Sequence, residues 1–254
     1  MNTKTHRPSL AGMTEQAAAA AISVACKTLY LSGTAQIAES MAQEASRQRL
    51  SHHGYLAEVL TYECDEREDR RRTRRVKEAK FPRPKRLEDL DLTCIPDLPP
   101  ATLTHLAGGS WIDAGEPLVL LGNSGTGKTH LLIGLGTAAA EQGRRVKYMT
   151  AAALINELVE AADNKELSRL VGKYARLDLL RLDEVGYIQL DTRGAELLFQ
   201  IITAREERAS IACSSNAPFS EWGQTFTDAR LAAVVPPKSW RFPYAASRLR
   251  AAVS

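Results

Sequence analysis

The residues from 122 to 130 have the types and spacing of a loop that binds phosphate groups. They are Gly122, Asn123, Ser124, Gly125, Thr126, Gly127, Lys128, Thr129 and His130, and they follow the apolar run Leu118 to Leu121. Glycines let the backbone turn tightly around an anion, so that its N–H groups and the positive end of the next helix point at a phosphate. The lysine would contact the β- and γ-phosphates, and the hydroxyl of Thr129 would ligate Mg²⁺. The pattern predicts a buried strand, a nucleotide-binding loop and a helix, in that order.

A second acidic site follows in the segment Leu179 to Glu184. If this segment is a buried strand, Asp183 lies at its carboxyl end and holds the Mg²⁺ shell, and Glu184 orients or deprotonates the attacking water. The alternative is an ordinary acidic pair in the first turn of a helix. Arg181 lies within the same strand, where a charge is costly unless it is paired. It either lies near an edge of the sheet or meets a carboxylate.

A third polar group ends the run Ile211 to Asn216. A short strand here, placed beside the strand before the phosphate loop, would bring Ser215 and Asn216 to the γ-phosphate. Asn216 would then hold the attacking water. Without that neighbour, Ser-Ser-Asn indicates only a turn.

The composition is that of a soluble globular chain. Its 254 residues are 44% hydrophobic, which is enough for one large domain or for one domain with an appendage. The four cysteines have no C-x-x-C spacing, so we predict reduced thiols in a cytoplasmic protein. The Ala-rich stretch from Ala17 to Cys26 fits a short helix better than an export signal, and no apolar run reaches the length of a membrane span.

Positive charge is concentrated in one segment. The chain has a net charge of +3, yet Arg67 to Arg86 contains eleven Lys or Arg and three acids. Five arginines follow i, i+3, i+4, i+7, i+8 spacing and would form one stripe along a helix: Arg67, Arg70, Arg71, Arg74 and Arg75. We favour contact of this arginine stripe with the phosphates of nucleic acid, without sequence specificity. The alternative is a solvated helix with ion pairs between residues four apart, such as Glu63 with Arg67 and Glu66 with Arg70.

The remaining pattern predicts two domains and a tail. Helical spacing from Thr14 to Gln48, interrupted near Ser32, and again from Leu50 indicates a helical N-terminal domain that ends where Pro82 forbids a helix. We place this domain at 1–82, an α/β nucleotide-binding core at 83–234, and a divergent tail at 235–254. Within the core we predict two further helices, from Lys165 to Arg176 and from about Arg193 to Ala209. The basic side chains at 165, 169 and 173 are either a second anion contact or a solvent face.

Several of these segments together resemble one known family. They are Leu121 to His130, Leu182 to Tyr187, Ala195 to Gln200 and Ser215 to Trp222, and the stretches Ala79 to Pro82 and Leu87 to Asp91 are similar to the family's linker. The resemblance, from about Thr28 to Val235, is to IstB, the helper ATPase of insertion-sequence transposition. That family belongs to the AAA+ group of P-loop proteins, alongside the helicase loader DnaC.

The resemblance implies a fold, ligands and partners. It implies an AAA+ core with a parallel sheet flanked by helices, ATP and Mg²⁺ as cofactors, and phosphate, Mg²⁺, catalytic and sensor roles for Lys128, Thr129, Asp183, Glu184 and Asn216. It further implies ATP-dependent assembly into a homo-oligomer on duplex DNA and delivery of a transposase. A replicative helicase loader uses the same engine with a helicase as its client, and this alternative stays open.

The chain departs from the family after Leu231. The stretch Leu231 to Trp240 contains neither the family's arginine-finger motif nor a recognisable last strand, and Pro236 and Pro237 exclude a continuing helix. An arginine finger contributes on the order of 10³-fold or more in rate to comparable reactions, whereas nucleotide binding does not need it. A DNA-binding assembly that binds the nucleotide without turnover is therefore a third hypothesis. The missing strand would also leave the strand before the phosphate loop at an edge of the sheet.

Overall fold

The computed structural model describes residues 13–95, 98–122, 125–185, 191–206 and 208–216. The helices are α1 (Glu15–Leu29), α2 (Ser32–Gln48), α3 (His52–Ala79), α4 (Pro100–Gly108), α5 (Ser110–Asp113), α6 (Lys128–Glu141), α7 (Ala151–Asp163), α8 (Leu167–Ala175) and α9 (Thr192–Arg205). The strands are β1 (Leu118–Leu121), β2 (Val146–Thr150), β3 (Leu179–Asp183) and β4 (Ser210–Ser215). None of the described helices has the length and apolar character that crossing a membrane requires.

The chain divides into two compact units, Met1–Arg71 and Arg72–Ser254. This division falls inside α3, and the helix itself ends at Ala79, just before the predicted proline stop. The domain boundary at residue 82 stays a prediction.

The first unit is helical. The Thr14 hydroxyl accepts a hydrogen bond from the Ala17 N–H and caps α1, which ends at Tyr30 in the left-handed conformation. The break between α1 and α2 thus falls at Tyr30 and Leu31, slightly before the predicted position. The buried carboxylate of Glu63 on α3 accepts a 2.8 Å hydrogen bond from the Thr34 N–H in the first turn of α2. Since this N–H has no partner within its own helix, Glu63 ties α3 to α2.

The second unit contains a parallel four-stranded sheet in the order β1-β4-β3-β2. Helices pack on both of its faces, because neighbouring residues along a strand point to opposite sides. Val119 belongs to the core formed with α7 and α9, whereas Leu118 and Leu120 belong to the core formed with α4, α5 and α6. The predicted fold class, a P-loop α/β core behind helices, is confirmed.

The position of β4 is the one the site hypothesis requires. Its residues Ala212 to Ser215 pair in parallel with Leu118 to Leu121. Among the described residues β1 pairs only with β4, and the predicted divergent tail lies outside these residues.

Three local predictions are wrong. Arg181 neither lies at an edge nor forms an ion pair with a carboxylate in the described part of the chain: β3 is an inner strand, and the guanidinium packs against the rings of Phe81 and Tyr148. Helix α8 begins at Leu167, so Lys165 precedes it and shares no helix face with Arg169 and Lys173. Helix α9 ends at Arg205 rather than at residue 209, because buried Arg205 donates to the carbonyls of Tyr174 and Ser210 and holds the chain for β4.

Candidate nucleotide site

The phosphate loop connects β1 to α6. Gly125 and Gly127 both have φ near +80°, a backbone conformation that residues other than glycine rarely adopt. Gly127 is the N-cap of α6 and Lys128 is the first residue of the helix, so the first N–H groups of α6 are directed into the loop. Asn123 and Ser124 lie outside the described residues. Gly122 donates its N–H to the Ser215 carbonyl at 3.3 Å, which joins the start of the loop to the end of β4.

One cavity brings most of the predicted residues together. Its volume is about 190 Å³, and it is lined by Gly125, Thr126, Gly127, Lys128, Thr129, His130, Asp183, Glu184, Ser214, Ser215 and Asn216. They meet because the strands are parallel, and the carboxyl ends of β1, β3 and β4 therefore lie at the same edge of the sheet. Whole-ligand pockets usually measure about 300–1,000 Å³, so this polar cavity has the size of a site for the phosphate groups alone.

Asp183 is fixed by three hydrogen bonds. Its Oδ2 accepts from the Tyr148 hydroxyl at 2.8 Å. Its Oδ1 accepts from the Ser214 hydroxyl and from the Glu184 N–H, the latter at 3.1 Å. The carboxylate, only 4% exposed, thus has one defined orientation beside Lys128.

Sequence reasoning missed Tyr148 and Ser214. Each position carries a hydroxyl group within a strand, β2 or β4, which is a usable signal. Their contact with Asp183 depends on the order of strands, because β2 and β4 are the two neighbours of β3. That order cannot be read from the spacing within either strand.

The electrostatics of the cavity favour an anion close to Lys128. Burial lowers the pKa of the Lys128 ammonium, and the nearby charge of Asp183 partly opposes that shift. A buried cation next to a single carboxylate gains stability from further negative charge, such as a phosphate group. Burial, together with the hydrogen bond to Asp183, raises the pKa of Tyr148, so its hydroxyl stays protonated as a donor.

Glu184 has an unusual backbone. Its φ is +60°, in the left-handed region that residues with a side chain adopt at an energetic cost. The residue directly follows β3 and lines the cavity. Strain of this kind occurs often at functional sites.

The donors in the cavity suit Mg²⁺. Thr129 and Asp183 offer a hydroxyl and a carboxylate oxygen, and Mg²⁺ prefers oxygen ligands. The described residues contain no cluster of three or more His, Cys, Asp or Glu side chains that could form a complete metal cage. In nucleotide sites Mg²⁺ binds through few protein ligands together with phosphates and water.

His130 contacts the segment that precedes the core. Its Nε2 lies 3.0 Å from the carbonyl oxygen of Arg86. Nearby, Leu87 packs against Gly134 of α6, and Ile95 packs against Gly127. The linker segment 81–95 therefore lies along the phosphate-loop helix.

Four of the five arginines in the predicted stripe have partners within their own unit. In the first unit Arg67 pairs with Glu63 at 2.8 Å and donates to the Tyr30 carbonyl, while Arg70 lies 3.6 Å from Glu66 and donates to the Ser32 hydroxyl. In the second unit Arg74 and Arg75 lie 3.7 and 3.1 Å from Glu78.

Arg71 is exposed and has no ion pair within the described residues. The predicted ion pairs of Glu63 with Arg67 and of Glu66 with Arg70 are both present. The exposed pairs of Arg70 with Glu66 and of Arg74 with Glu78 contribute only about 0–1 kcal/mol each, so a phosphate group can compete for these two arginines.

The basic side chains Arg169 and Lys173 on α8 both form ion pairs. Arg169 pairs with Glu166 and Lys173 pairs with Glu157, each at 3.3 Å. These contacts favour the interpretation of this surface as an ordinary solvent face.

The fold and the cavity define a class of protein. A parallel sheet with a glycine loop after β1 and an Asp-Glu pair at the end of β3 is characteristic of a P-loop nucleotide-binding domain. Residues 24–236 match the family of IstB-like ATP-binding proteins. The chain belongs to this family.

Relatives from several bacteria agree with this assignment. A Pseudomonas aeruginosa protein named for ATP binding and insertion sequence IS21 is 35% identical over 197 residues, which are 78% of this chain and 74% of the relative. A Geobacillus stearothermophilus protein named for ATP binding and insertion sequence IS5376 is 34% identical over 207 residues, 82% of each chain.

Among solved structures, a DNA replication initiation factor has the same core fold. The TM-score is 0.50 at 24% identity, over 58% of this chain and 46% of that chain. The DnaC helicase loader gives a TM-score of 0.43 at 24% identity, over 52% of this chain and 76% of the loader.

Proposed function

We propose that the chain is an ATP-binding and ATP-hydrolysing helper protein of insertion-sequence transposition. One observation carries the proposal: the phosphate loop, Asp183, Glu184 and Asn216 line a single polar cavity with the size of a polyphosphate site. Membership of an ATP-binding family supports ATP as the nucleotide. The names of the relatives place them in insertion sequences, which favours a transposase over a replicative helicase as the client.

The loop and four side chains that line the cavity, besides Lys128, have proposed roles in binding and hydrolysis. The N–H groups of the loop and the Lys128 ammonium bind the β- and γ-phosphates. Thr129 and Asp183 would hold Mg²⁺, which would neutralise charge on the phosphate oxygens. Glu184 accepts a proton from the attacking water, and Asn216 orients that water by a hydrogen bond. The hydrogen bonds to Asp183 keep its carboxylate in place without a rearrangement during the reaction.

The parts of the chain have separate proposed tasks. Residues 1–82 contact duplex DNA and the transposase through the helical region and the arginine stripe, and residues 83–234 bind and hydrolyse ATP. The tail, 235–254, includes no recognisable arginine finger and lies outside the described residues. We propose a cytoplasmic, ATP-dependent homo-oligomer on DNA, in which neighbouring subunits complete the catalytic sites.

The stripe provides the test of this function. The double variant Arg71→Glu, Arg74→Glu reverses two charges of the stripe. Arg71 is the stripe arginine without an ion pair among the described residues, and Arg74 lies 3.7 Å from its partner Glu78. We expect weaker binding to all duplex sequences alike. The slope of the logarithm of the association constant against the logarithm of the salt concentration should be less steep by about 2. Phosphate release by the wild type should exceed that of Lys128→Ala and rise with duplex DNA, and the rise should be absent in the double variant.

The matched control is Arg47→Glu, Arg49→Glu, the same change of charge at the end of α2. Unaltered DNA affinity of the stripe variant at low salt would make α3 a solvated helix face. Release of phosphate no faster than Lys128→Ala would leave a nucleotide-gated DNA-binding assembly without turnover, the hypothesis that the unrecognised arginine finger favours.

A further inference from the structure

Tyr148 connects a cluster around the buried Arg181 to the carboxylate of the candidate Mg²⁺ site. The cluster consists of Phe81, Tyr148 and Arg181. The Arg181 guanidinium carbon lies 5.8 Å from the centre of each ring, and the two rings lie 6.2 Å apart in an edge-on arrangement. The Tyr148 hydroxyl, at the far end of its ring, donates to Asp183.

The sheet register explains this placement. Tyr148 of β2 is the direct neighbour of Arg181 in β3, and Asp183 is two residues further along the same face of β3. The length of the tyrosine ring spans this step, so the hydroxyl reaches the carboxylate. A shorter polar side chain at position 148 would fall short of it.

The ring has little freedom to move. Arg181 is fully buried, and a Cβ added at Gly136 of α6 would lie 2.8 Å from its Cδ, so the helix closes the other side of the cluster. Phe81 holds the ring from the linker segment 81–95. Contacts with Phe81 on one side and Arg181 on the other restrict the rotamers of the partly buried Tyr148 ring.

We propose that Tyr148 is a positioning residue for Mg²⁺-dependent nucleotide binding: its hydroxyl turns the Asp183 carboxylate toward the metal shell. This inference rests on the proposed function and deepens it. Groups that orient the ligands of a metal typically change metal affinity about 10–100-fold when they are removed. The role needs only the hydroxyl, and the ring by itself serves the core.

The variant Tyr148→Phe separates the two contributions. It keeps the ring between Phe81 and Arg181 and removes the donor. The measurement is the affinity for a fluorescent, slowly hydrolysed ATP analogue, first in the presence of a chelator and then at increasing Mg²⁺. We expect unchanged affinity in the chelator and a half-maximal Mg²⁺ concentration about 10-fold above that of the wild type.

Tyr174→Phe is the matched control. The Tyr174 hydroxyl donates to Glu157 at 2.5 Å, so this variant also loses a hydrogen bond between a tyrosine and a carboxylate. Neither residue is part of the described lining of the phosphate-loop cavity. Its Mg²⁺ dependence should equal that of the wild type, even if both variants unfold at a lower temperature.

The outcomes separate this inference from the proposed function. A wild-type chain that does not bind the analogue overturns the proposed function. A wild type that binds it, with Tyr148→Phe showing the same or a lower half-maximal Mg²⁺ concentration, overturns the positioning role alone. An equal shift in both tyrosine variants would show a general loss of stability and would likewise overturn it.

Discussion

At the scale of single residues, Glu184 is the side chain on which turnover depends in the proposed mechanism. It has a left-handed backbone conformation, lines the phosphate-loop cavity and directly follows Asp183. Successive side chains along a strand point in different directions. The two carboxylates therefore have different surroundings. Asp183 is buried and held by three donors, whereas Glu184 is exposed and able to reach a water.

The variant Glu184→Gln tests this division of roles. It preserves shape and hydrogen bonding but cannot accept a proton, so ATP affinity should be retained while phosphate release falls by about 10²-fold or more. Steady-state phosphate release and equilibrium nucleotide binding measure the two effects. The control is Glu196→Gln on the exposed face of α9, which should match the wild type in both. Undiminished release from Glu184→Gln would remove this residue from the mechanism.

The residues of the cavity were predictable to different degrees. The loop and the Asp-Glu pair follow from local patterns, because the chemistry fixes residue types at short spacing. Arg181 was not predictable: its position on an inner strand and its packing against Phe81 involve segments 100 residues apart in the chain. Burial lowers the pKa of Arg181 to about 9, so the side chain remains charged at neutral pH, and the aromatic rings supply part of the lost solvation.

At the scale of elements, α6 carries two glycines that the helix needs for packing. A Cβ at Gly136 would meet the side chain of buried Arg181, and one at Gly134 would meet Leu87 at 2.7 Å. Glycine in the middle of a helix costs about 0.5–1 kcal/mol relative to alanine. The close approach of the linker and of β3 to α6 must therefore offset this cost.

Gly136→Ala is expected to destabilise the core unit by about 1–3 kcal/mol through overpacking, in spite of the better helix propensity of alanine. The matched control is Gly172→Ala on α8, where an added Cβ meets no atom within 4 Å. This control should gain about 0.5–1 kcal/mol. Urea unfolding followed by circular dichroism measures both, and a stabilised Gly136→Ala would contradict the packing of α6 described above.

Most elements were predictable from periodicity, and their ends were less so. The apolar runs of β1 and β3 indicate buried strands directly. The spacing of apolar residues in α7 likewise indicates a helix with one buried face. The ends of α8 and α9 depend on contacts elsewhere. Arg205 stops α9 by binding carbonyls of Tyr174 and Ser210, and no local pattern encodes those acceptors.

At the scale of the whole molecule, the chain combines a helical unit with a P-loop unit, and α3 extends from one into the other. The parallel order of the sheet brings the polar ends of β3 and β4 to the phosphate loop that follows β1. This convergence is a property of the topology, which the family resemblance implied and the strand registers confirm. The roles proposed for the residues of the cavity depend on nucleotide binding at this edge of the sheet.

The most direct test is equilibrium binding of a slowly hydrolysed ATP analogue in the presence of Mg²⁺, measured by calorimetry on the wild type, Lys128→Ala and Lys173→Ala. Lys128 is buried in the cavity, whereas Lys173 is exposed and paired with Glu157 on α8. Hydrogen bonds to charged groups contribute about 1.5–3 kcal/mol, so we predict that Lys128→Ala weakens binding at least about 10-fold while Lys173→Ala binds as the wild type does. Equal affinities for all three proteins, or no binding by the wild type, would contradict the account.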